Sequence, residues 1–301
     1  MGSCENFTGG DLLMKKHKEK IKRSRGEQIL FNCFFVFLCI FSATYAIAYF
    51  FVIMNTFKGA FEYIITSKFA FPKEWVWNYG KVFTSFEVNG SGYFRMCFHS
   101  IWFSVTGSVP SLLSTAACAY AYARYKFPGR KAIFAINLIM LTLSLPGSGP
   151  AYYKLFCDLG MKNSWRYLLG CFGGFGGQFI ILVGFWKGID WAYGEATFID
   201  GGNDWTVFWK VMMPQAMPML GVFFVLGFIN GWNSHEFTML YMPKYPSIAF
   251  GLYEYQARMQ RSMDTPMYFS ALVVTSVPSI ILYISFQDLI LQNLTAGALK
   301  G

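Results

Sequence analysis

Apolar positions along this chain gather into long unbroken runs, not into the alternation of half-buried strands or the one-sided stripes of soluble helices. The first run covers residues 29–54, 26 positions that include only Asn32 and a few hydroxyl residues as polar interruptions. A helix needs roughly 20 residues to cross a bilayer core, so this run spans it with some tilt. Five further runs follow at residues 98–123, 132–145, 167–186, 218–232 and 267–290. The 132–145 run is short for a crossing. Between the first two runs, residues 55–97 are mixed and rich in turn formers, including Asn89-Gly90-Ser91. They predict an external loop with a short amphipathic piece. The pattern as a whole predicts an all-α, polytopic membrane protein with six transmembrane helices.

Composition supports a membrane protein. Hydrophobic residues make up 54% of the chain and charged residues 14%, against about a quarter charged in water-soluble proteins. The formal net charge of +9 raises the possibility of a nucleic-acid partner, but its placement argues against one. Seven basic residues lie between Lys15 and Arg25, immediately before the first run. Arg124, Lys126, Arg130 and Lys131 lie between two others. This is positive-inside anchoring. It puts both termini, the 124–131 loop and the 187–217 loop on the cytoplasmic side, and residues 55–97, 146–166 and 233–266 outside. The first run exceeds the length of a signal-peptide core and is expected to be retained as an anchor. The start MGSCEN lacks the Ser or Thr that a myristoylation signal needs at position 6. No cysteine pair has CxxC spacing and the three histidines stand far apart, so no disulfide framework, zinc site or other metal site is expected.

The glycine cluster at positions 170, 173, 174, 176 and 177 opens the fourth run. Gly173 and Gly177 have the GxxxG spacing that lets transmembrane helices approach closely, and helix packing is the expectation, with a flexible hinge as the alternative. A phosphate-binding loop is excluded, because no GK[ST] follows and no strand–loop–helix context exists. The chain is therefore expected to carry no catalytic residue and no cofactor of its own.

The most informative segment is the loop between the fourth and fifth runs. Glu195 to Ile199 predicts a short helix stopped by Gly201-Gly202. Asn203 or Asp204 then caps a second helix that presents Trp205, Phe208, Trp209 and Met212 at i, i+3, i+4 and i+7. Two readings stand on these residues alone: a knob that inserts into a groove of another protein, and an amphipathic helix lying on the membrane surface.

The segment resembles the EAA loop of ABC-importer permeases, with Glu195, Ala196, Asp200, Gly201 and Pro214 on the family pattern. Phe208 and Pro218 match further positions of its sugar branch. Thr197, Gly202 and Met213 depart from it, replacing Ala, Ala and Leu, and the paired glycines suggest a looser turn. The likeness extends to Asn55-Thr56-Phe57-Lys58, to Ala119-Tyr120-Ala121-Tyr122-Ala123-Arg124 with Phe127-Pro128-Gly129-Arg130, to Pro146-Gly147, Leu159-Gly160 and Asn163-Ser164, to Trp232-Asn233, and to the closing Leu294-Thr295-Ala296-Gly297-Ala298-Leu299-Lys300-Gly301. That ending is similar to the second, maltose-type permease subunit.

The resemblance implies a MetI-like type I ABC importer fold in the bacterial cytoplasmic membrane. In this frame residues 1–28 are a cytoplasmic basic segment, 29–54 the first helix and 55–97 an external loop. Residues 98–290 form the permease core with its coupling loop at 187–217, and 291–301 a cytoplasmic tail. The implied partners are a second homologous permease, an ATPase dimer that uses ATP and Mg, an extracellular or periplasmic solute-binding protein, the sugar, and membrane lipid. Glu195, Ala196, Asp200, Gly201, Phe208 and Pro214 are the implied coupling residues. Asn137, Gln178, Asn230 and Asn233 are polar candidates for the substrate path, with Trp232 placed to stack on a sugar ring. The external segment 241–261 is a candidate contact for the binding protein. The alternatives are an importer for another solute, a six-span membrane enzyme, or a channel or proton-coupled transporter. The enzyme would need a clustered constellation, and Asp288 has no evident partner. The channel or transporter would show buried charges and internal repeats, and neither is evident.

Overall fold

The structure is a computed structural model that describes residues 25–143 and 148–298. The 15–24 part of the basic cluster, Pro146-Gly147 and Leu299-Lys300-Gly301 lie outside the described residues. Contacts divide the chain near Phe51 into two units. The first is built on helix α1 (Arg25–Thr56), apolar around its whole circumference as a bilayer helix should be.

In the second unit, helices α2 (Ala60–Ile65) and α3 (Tyr79–Ser85) and a hairpin of β1 (Glu87–Val88) and β2 (Ser91–Gly92) precede the long helix α4 (Tyr93–Arg124). Then come α5 (Arg130–Thr142), α6 (Ser148–Asp158), a 3-10 segment (Trp165–Cys171), α7 (Gly177–Gly188), α8 (Ala192–Ile199), α9 (Asp204–Thr206) and α10 (Met213–Asn233). Helices α11 (Glu236–Leu240), α12 (Ile248–Ser262) and α13 (Thr265–Ala298) complete it. Among the described residues, four stretches are long and apolar enough to cross a membrane alone: Gly26–Thr56, Tyr93–Arg124, Asp204–Asn233 and Thr265–Asp288.

The fold departs from the sequence expectations at several places. The fourth run is not one helix. It breaks after Cys171 and resumes at Gly177, because Gly176 sits at φ 135°, ψ −167°, a conformation open only to glycine. Asn137 secures the break: the Gly176 amide donates to its Oδ1 at 2.7 Å, and its Nδ2 donates to the Gly176 carbonyl at 3.4 Å. Of the GxxxG pair only Gly173 packs closely, where a Cβ would lie 2.7 Å from Ser111 Oγ; nothing lies within 4 Å of one on Gly177.

The fifth span starts earlier than its apolar run, since helix runs without interruption from Asp204 to Asn233. Its turn at Val207–Met212 is π-helical. Pro214 lacks an N–H and crowds the carbonyl four residues before it, and a wide turn accommodates both. The Gln215 side-chain Nε2 donates to the Val211 carbonyl there at 3.0 Å. At the far end, α13 continues through Ala298, so the 291–301 segment is largely a helical extension and not a separate tail.

The 55–97 segment, expected as an external loop, is more structured than expected. Asn89 (φ 51°) and Gly90 (φ 73°) make the two-residue turn that suits a right-twisted hairpin. Asn89 Nδ2 donates to the Pro243 carbonyl and Arg258 to the Glu87 carbonyl. Phe86 packs on Tyr255 at 5.0 Å. Much of the 241–261 segment is thereby internal, with Met242, Ile248, Phe250 and Tyr255 buried. Lys58 is fully buried, and its Nζ donates to the carbonyls of Ser67 and Lys68 at 3.3 and 3.1 Å. Desolvation holds its pKa below the ordinary lysine value, with Glu62 partly opposing.

Candidate functional site

The 189–213 loop folds as the sequence suggested at its turn and differently at its apolar face. Helix α8 ends in a Schellman motif: the Gly201 amide donates to the Phe198 carbonyl at 3.0 Å and the Gly202 amide to the Thr197 carbonyl at 2.9 Å. Gly201 holds φ 82°, the left-handed region. Of the two candidate caps, Asn203 performs the role, its Oδ1 accepting from the Thr206 amide at 2.9 Å. Gly202 does not loosen the turn. A Cβ there would lie 2.7 Å from Thr197 Cγ2 and 2.9 Å from the Thr197 carbonyl oxygen, so the two departures from the family pattern are in contact. Gly194 leaves room for the Trp191 ring, which a Cβ would meet at 2.9 Å.

The apolar stripe predicted for the second helix splits. The π turn shifts the register, so Phe208 and Met212 are buried while Trp205 and Trp209 are exposed and stack on each other at 6.3 Å. Phe208 packs on Tyr120 at 4.9 Å and on Trp186 at 6.5 Å, within a core that joins α4, α7 and the start of α10. It is thus an internal anchor of the knob, not part of its surface. What the knob presents outward is Tyr193, Glu195, Ala196, Ile199, Asp200 and Gly201, with Ile199 at 86% exposure as its apolar tip. Pro214 is exposed at the base.

Two residues that the sequence reading did not single out for this role hold the loop: Arg124, read there in the basic cluster and the family likeness, and its neighbour Tyr125. Arg124 Nη2 donates to the Ile189 carbonyl at 2.8 Å, and its guanidinium lies 5.1 Å from the centre of the Trp191 ring. The neighbouring Tyr125 donates its hydroxyl to Asp204 Oδ1 at 2.7 Å. Consecutive residues at the end of α4 therefore grip both ends of the loop.

The substrate-path candidates are not brought together. Gln178 lines a cavity of about 230 Å³ among α4, α7 and α10, with Ser104, Ser108, Ser111, Gly227 and Gly231. Trp232 and Asn233 line a different cavity of about 400 Å³ with His235, Tyr253, Gln256 and Tyr268. Trp232 is buried and stacked on Phe228 at 6.1 Å, so one face of its ring is already covered. The aromatic pair open to that cavity is Tyr253 with His235, stacked at 4.9 Å. Asn230 is exposed and lines neither cavity, and Asn137 is the buried clamp of Gly176.

Comparisons with known proteins bear on this arrangement. No protein-family model matches the chain. The permease NgcG of the diacetylchitobiose uptake system of Streptomyces coelicolor is 28% identical over 269 residues, 87% of each chain. The maltose/maltodextrin permease MalG of Salmonella typhimurium is 28% identical over 201 residues, 63% of this chain and 66% of that one. A bacterial ABC transporter that imports the acidic polysaccharide alginate shares the fold, with a TM-score of 0.72, 22% identity, and coverage of 88% of this chain and 98% of that one. This chain is similar to maltose-permease-like ABC transporter permeases.

In this chain, the residues that hold the loop were hidden by ambiguity of type. An arginine at the inner end of a span satisfies the positive-inside rule whether or not it has a specific partner. The one further signal was the pairing of Arg124-Tyr125 with Asp204, which sequence spacing alone does not connect.

Proposed function

We propose that the permease is a membrane-spanning subunit of an ATP-driven, binding-protein-dependent importer of a sugar or oligosaccharide. The observation that carries this reading is the 189–213 knob. A capped two-helix projection with an apolar tip, four exposed carboxylates (Asp190, Glu195, Asp200 and Asp204) and a glycine turn is suited to seat in a groove of another protein. The carbohydrate names of the relatives support the sugar assignment. Glu195, Ala196, Asp200 and Gly201 face the partner ATPase in this reading, Phe208 anchors the knob from within, and Pro214 sets the wide turn beneath it. The carboxylate of Glu195 meets a basic residue of the ATPase. This chain contributes no catalytic group: ATP and Mg belong to the partner.

Six crossing segments are built on α1, α4, α5, α7, α10 and α13, with both termini and the knob cytoplasmic. Helices α5 and α7, of 13 and 12 residues, rise only about 20 Å each. They complete their crossings through adjoining segments, the 3-10 stretch in the case of α7. The transporter further comprises a second, nonidentical permease and a solute-binding protein that delivers the sugar. Closure of the ATPase dimer displaces the knob and favours one of two preformed states, since a ligand shifts an equilibrium only by its differential affinity.

The test is purification from native membrane in mild detergent, with subunit identification and ATPase assay. Co-recovery of a second permease and an ATPase whose activity rises with a sugar-loaded binding protein is expected. A homo-oligomer without ATPase would overturn the reading.

A further inference from the structure

The loop lies between α7 and α10 in sequence, so those two helices receive its movement directly. The structure adds a third. We propose that Arg124 and Tyr125 are positioning residues that make α4 part of the moving body, so that displacement of the knob is delivered to α4 at the same time as to α7 and α10. This rests on the importer reading above and deepens it.

Three observations converge on α4. The first is the grip at its inner end. Arg124 bonds the Ile189 carbonyl before α8 and covers the Trp191 ring, while Tyr125 bonds Asp204 after the turn. Both sides of α8 and its turn are therefore tied to one dipeptide, and that part of the knob cannot translate without carrying the end of α4 or breaking a charge-assisted bond. The second is the core directly above the grip. Tyr120, Trp186 and Phe208 come from α4, α7 and the π turn, and they pack on one another. The third is the steric keying higher on α4. A Cβ on Gly227 would lie 2.9 Å from Ser108 Oγ, one on Gly231 would lie 3.1 Å from Ser104 Cα, and one on Gly173 would lie 2.7 Å from Ser111 Oγ. Small-residue crossings of this kind hold helices at close approach, and here they hold α10 and the broken fourth segment against α4.

The consequence reaches the middle of the bundle. Ser104, Ser108 and Ser111 line the 230 Å³ cavity, on the same helix that ends in Arg124. The α4 serines that line the cavity, from Ser111 to Ser104, lie about 20 to 30 Å along the helix from the grip, at 1.5 Å per helical residue. Since α4, α7 and α10 each contribute to that cavity, moving all three together preserves its walls, whereas moving α7 and α10 alone would shear it.

The experiment uses the complete transporter in proteoliposomes with its binding protein, and reads sugar uptake and ATP hydrolysis in the same vesicles. Arg124→Ala and Tyr125→Phe are each expected to lower the sugar moved per ATP hydrolysed by about fivefold or more, while the ATPase still co-purifies. Arg124→Lys keeps the charge but loses the planar group that bonds and stacks together, and is expected to rescue only in part. Asp204→Asn keeps an acceptor oxygen for Tyr125 and is expected to stay within about twofold of wild type. A merely structural role would lower assembly and leave the ratio unchanged. If Arg124→Ala fails to assemble, the Tyr125→Phe and Asp204→Asn pair decides. A wild-type ratio in the Arg124→Lys/Tyr125→Phe double variant would overturn the inference while leaving the importer reading intact. Failure of the importer reading is distinguishable, because the unmodified chain would then recover no ATPase.

Discussion

Gly202→Ala is the substitution on which family likeness and the structure disagree. Alanine is the residue the family pattern carries at this position, so likeness alone expects the change to be harmless. In this chain the new Cβ would stand 2.7 Å from Thr197 Cγ2, 2.9 Å from the Thr197 carbonyl oxygen and 3.4 Å from Thr206 Cγ2. Two contacts under 3.0 Å force either the turn or the end of α8 to shift. Overpacking of this size costs about 1–3 kcal/mol, which corresponds to about a 5- to 150-fold loss of the docking-competent loop. The carbonyl cannot swing away freely, because it accepts the Gly202 amide at 2.9 Å in the Schellman motif. Thr197→Ala removes the methyl and leaves the carbonyl. The double variant Thr197→Ala/Gly202→Ala should therefore recover part of the loss, with a coupling of about 0.5–3 kcal/mol between the sites. The assay is ATP-driven sugar uptake in proteoliposomes, paired with recovery of the ATPase on the purified permease. Wild-type uptake by Gly202→Ala would refute the reasoning, as would a double variant no better than the single.

Three further outcomes are expected. Gly201→Ala should be mild and Gly201→Pro severe, because alanine tolerates φ 82° at about 1–2 kcal/mol whereas proline cannot reach it and also loses the bond to Phe198; equal uptake by the two variants would contradict this. Phe208→Ala empties a buried aromatic site at a cost of about 3–5 kcal/mol and should lower the melting temperature in detergent; an unchanged melting curve would mean the ring is not an anchor. Lys58→Met leaves the Ser67 and Lys68 carbonyls without their buried donor, costing about 1–3 kcal/mol, and should speed proteolysis of the 57–92 segment from the outer face of membrane vesicles; unchanged cleavage kinetics would exclude the clamp.

What was legible in the sequence was local chemistry. Asn203 and Gly201 announce a cap and a stop because few residues serve those backbone positions. Asn89-Gly90 announces a tight turn for the same reason, although the short strands flanking it give no period of their own. The split of Phe208 from Trp205 was not legible. Counting at i, i+3 and i+4 assumes a regular helix, and Pro214 imposes a π turn that moves each later side chain around the axis. The break at 172–176 was only partly legible: the glycine cluster left a hinge open beside helix packing, but an apolar run looks the same whether its backbone is helical or not. Asn137 was legible as an intramembrane polar residue, but its partner is a backbone group, and backbone groups leave no mark in composition.

That break bears on insulation. A continuous helix sheathes its own peptide dipoles, and the bilayer's resistance to protons and small ions depends on such sheathing. Between Cys171 and Gly177 the backbone is not helical, and on the six-span reading its insulation there would rest on close contacts, among them Gly173 against Ser111, Gly174 against Cys118 and Asn137 against Gly176. A side chain added at 173 is then a wedge in a seal. Its expected mark is electrical: vesicles carrying Gly173→Val should lose an imposed pH gradient faster than vesicles carrying Gly177→Val, which meets nothing within 4 Å.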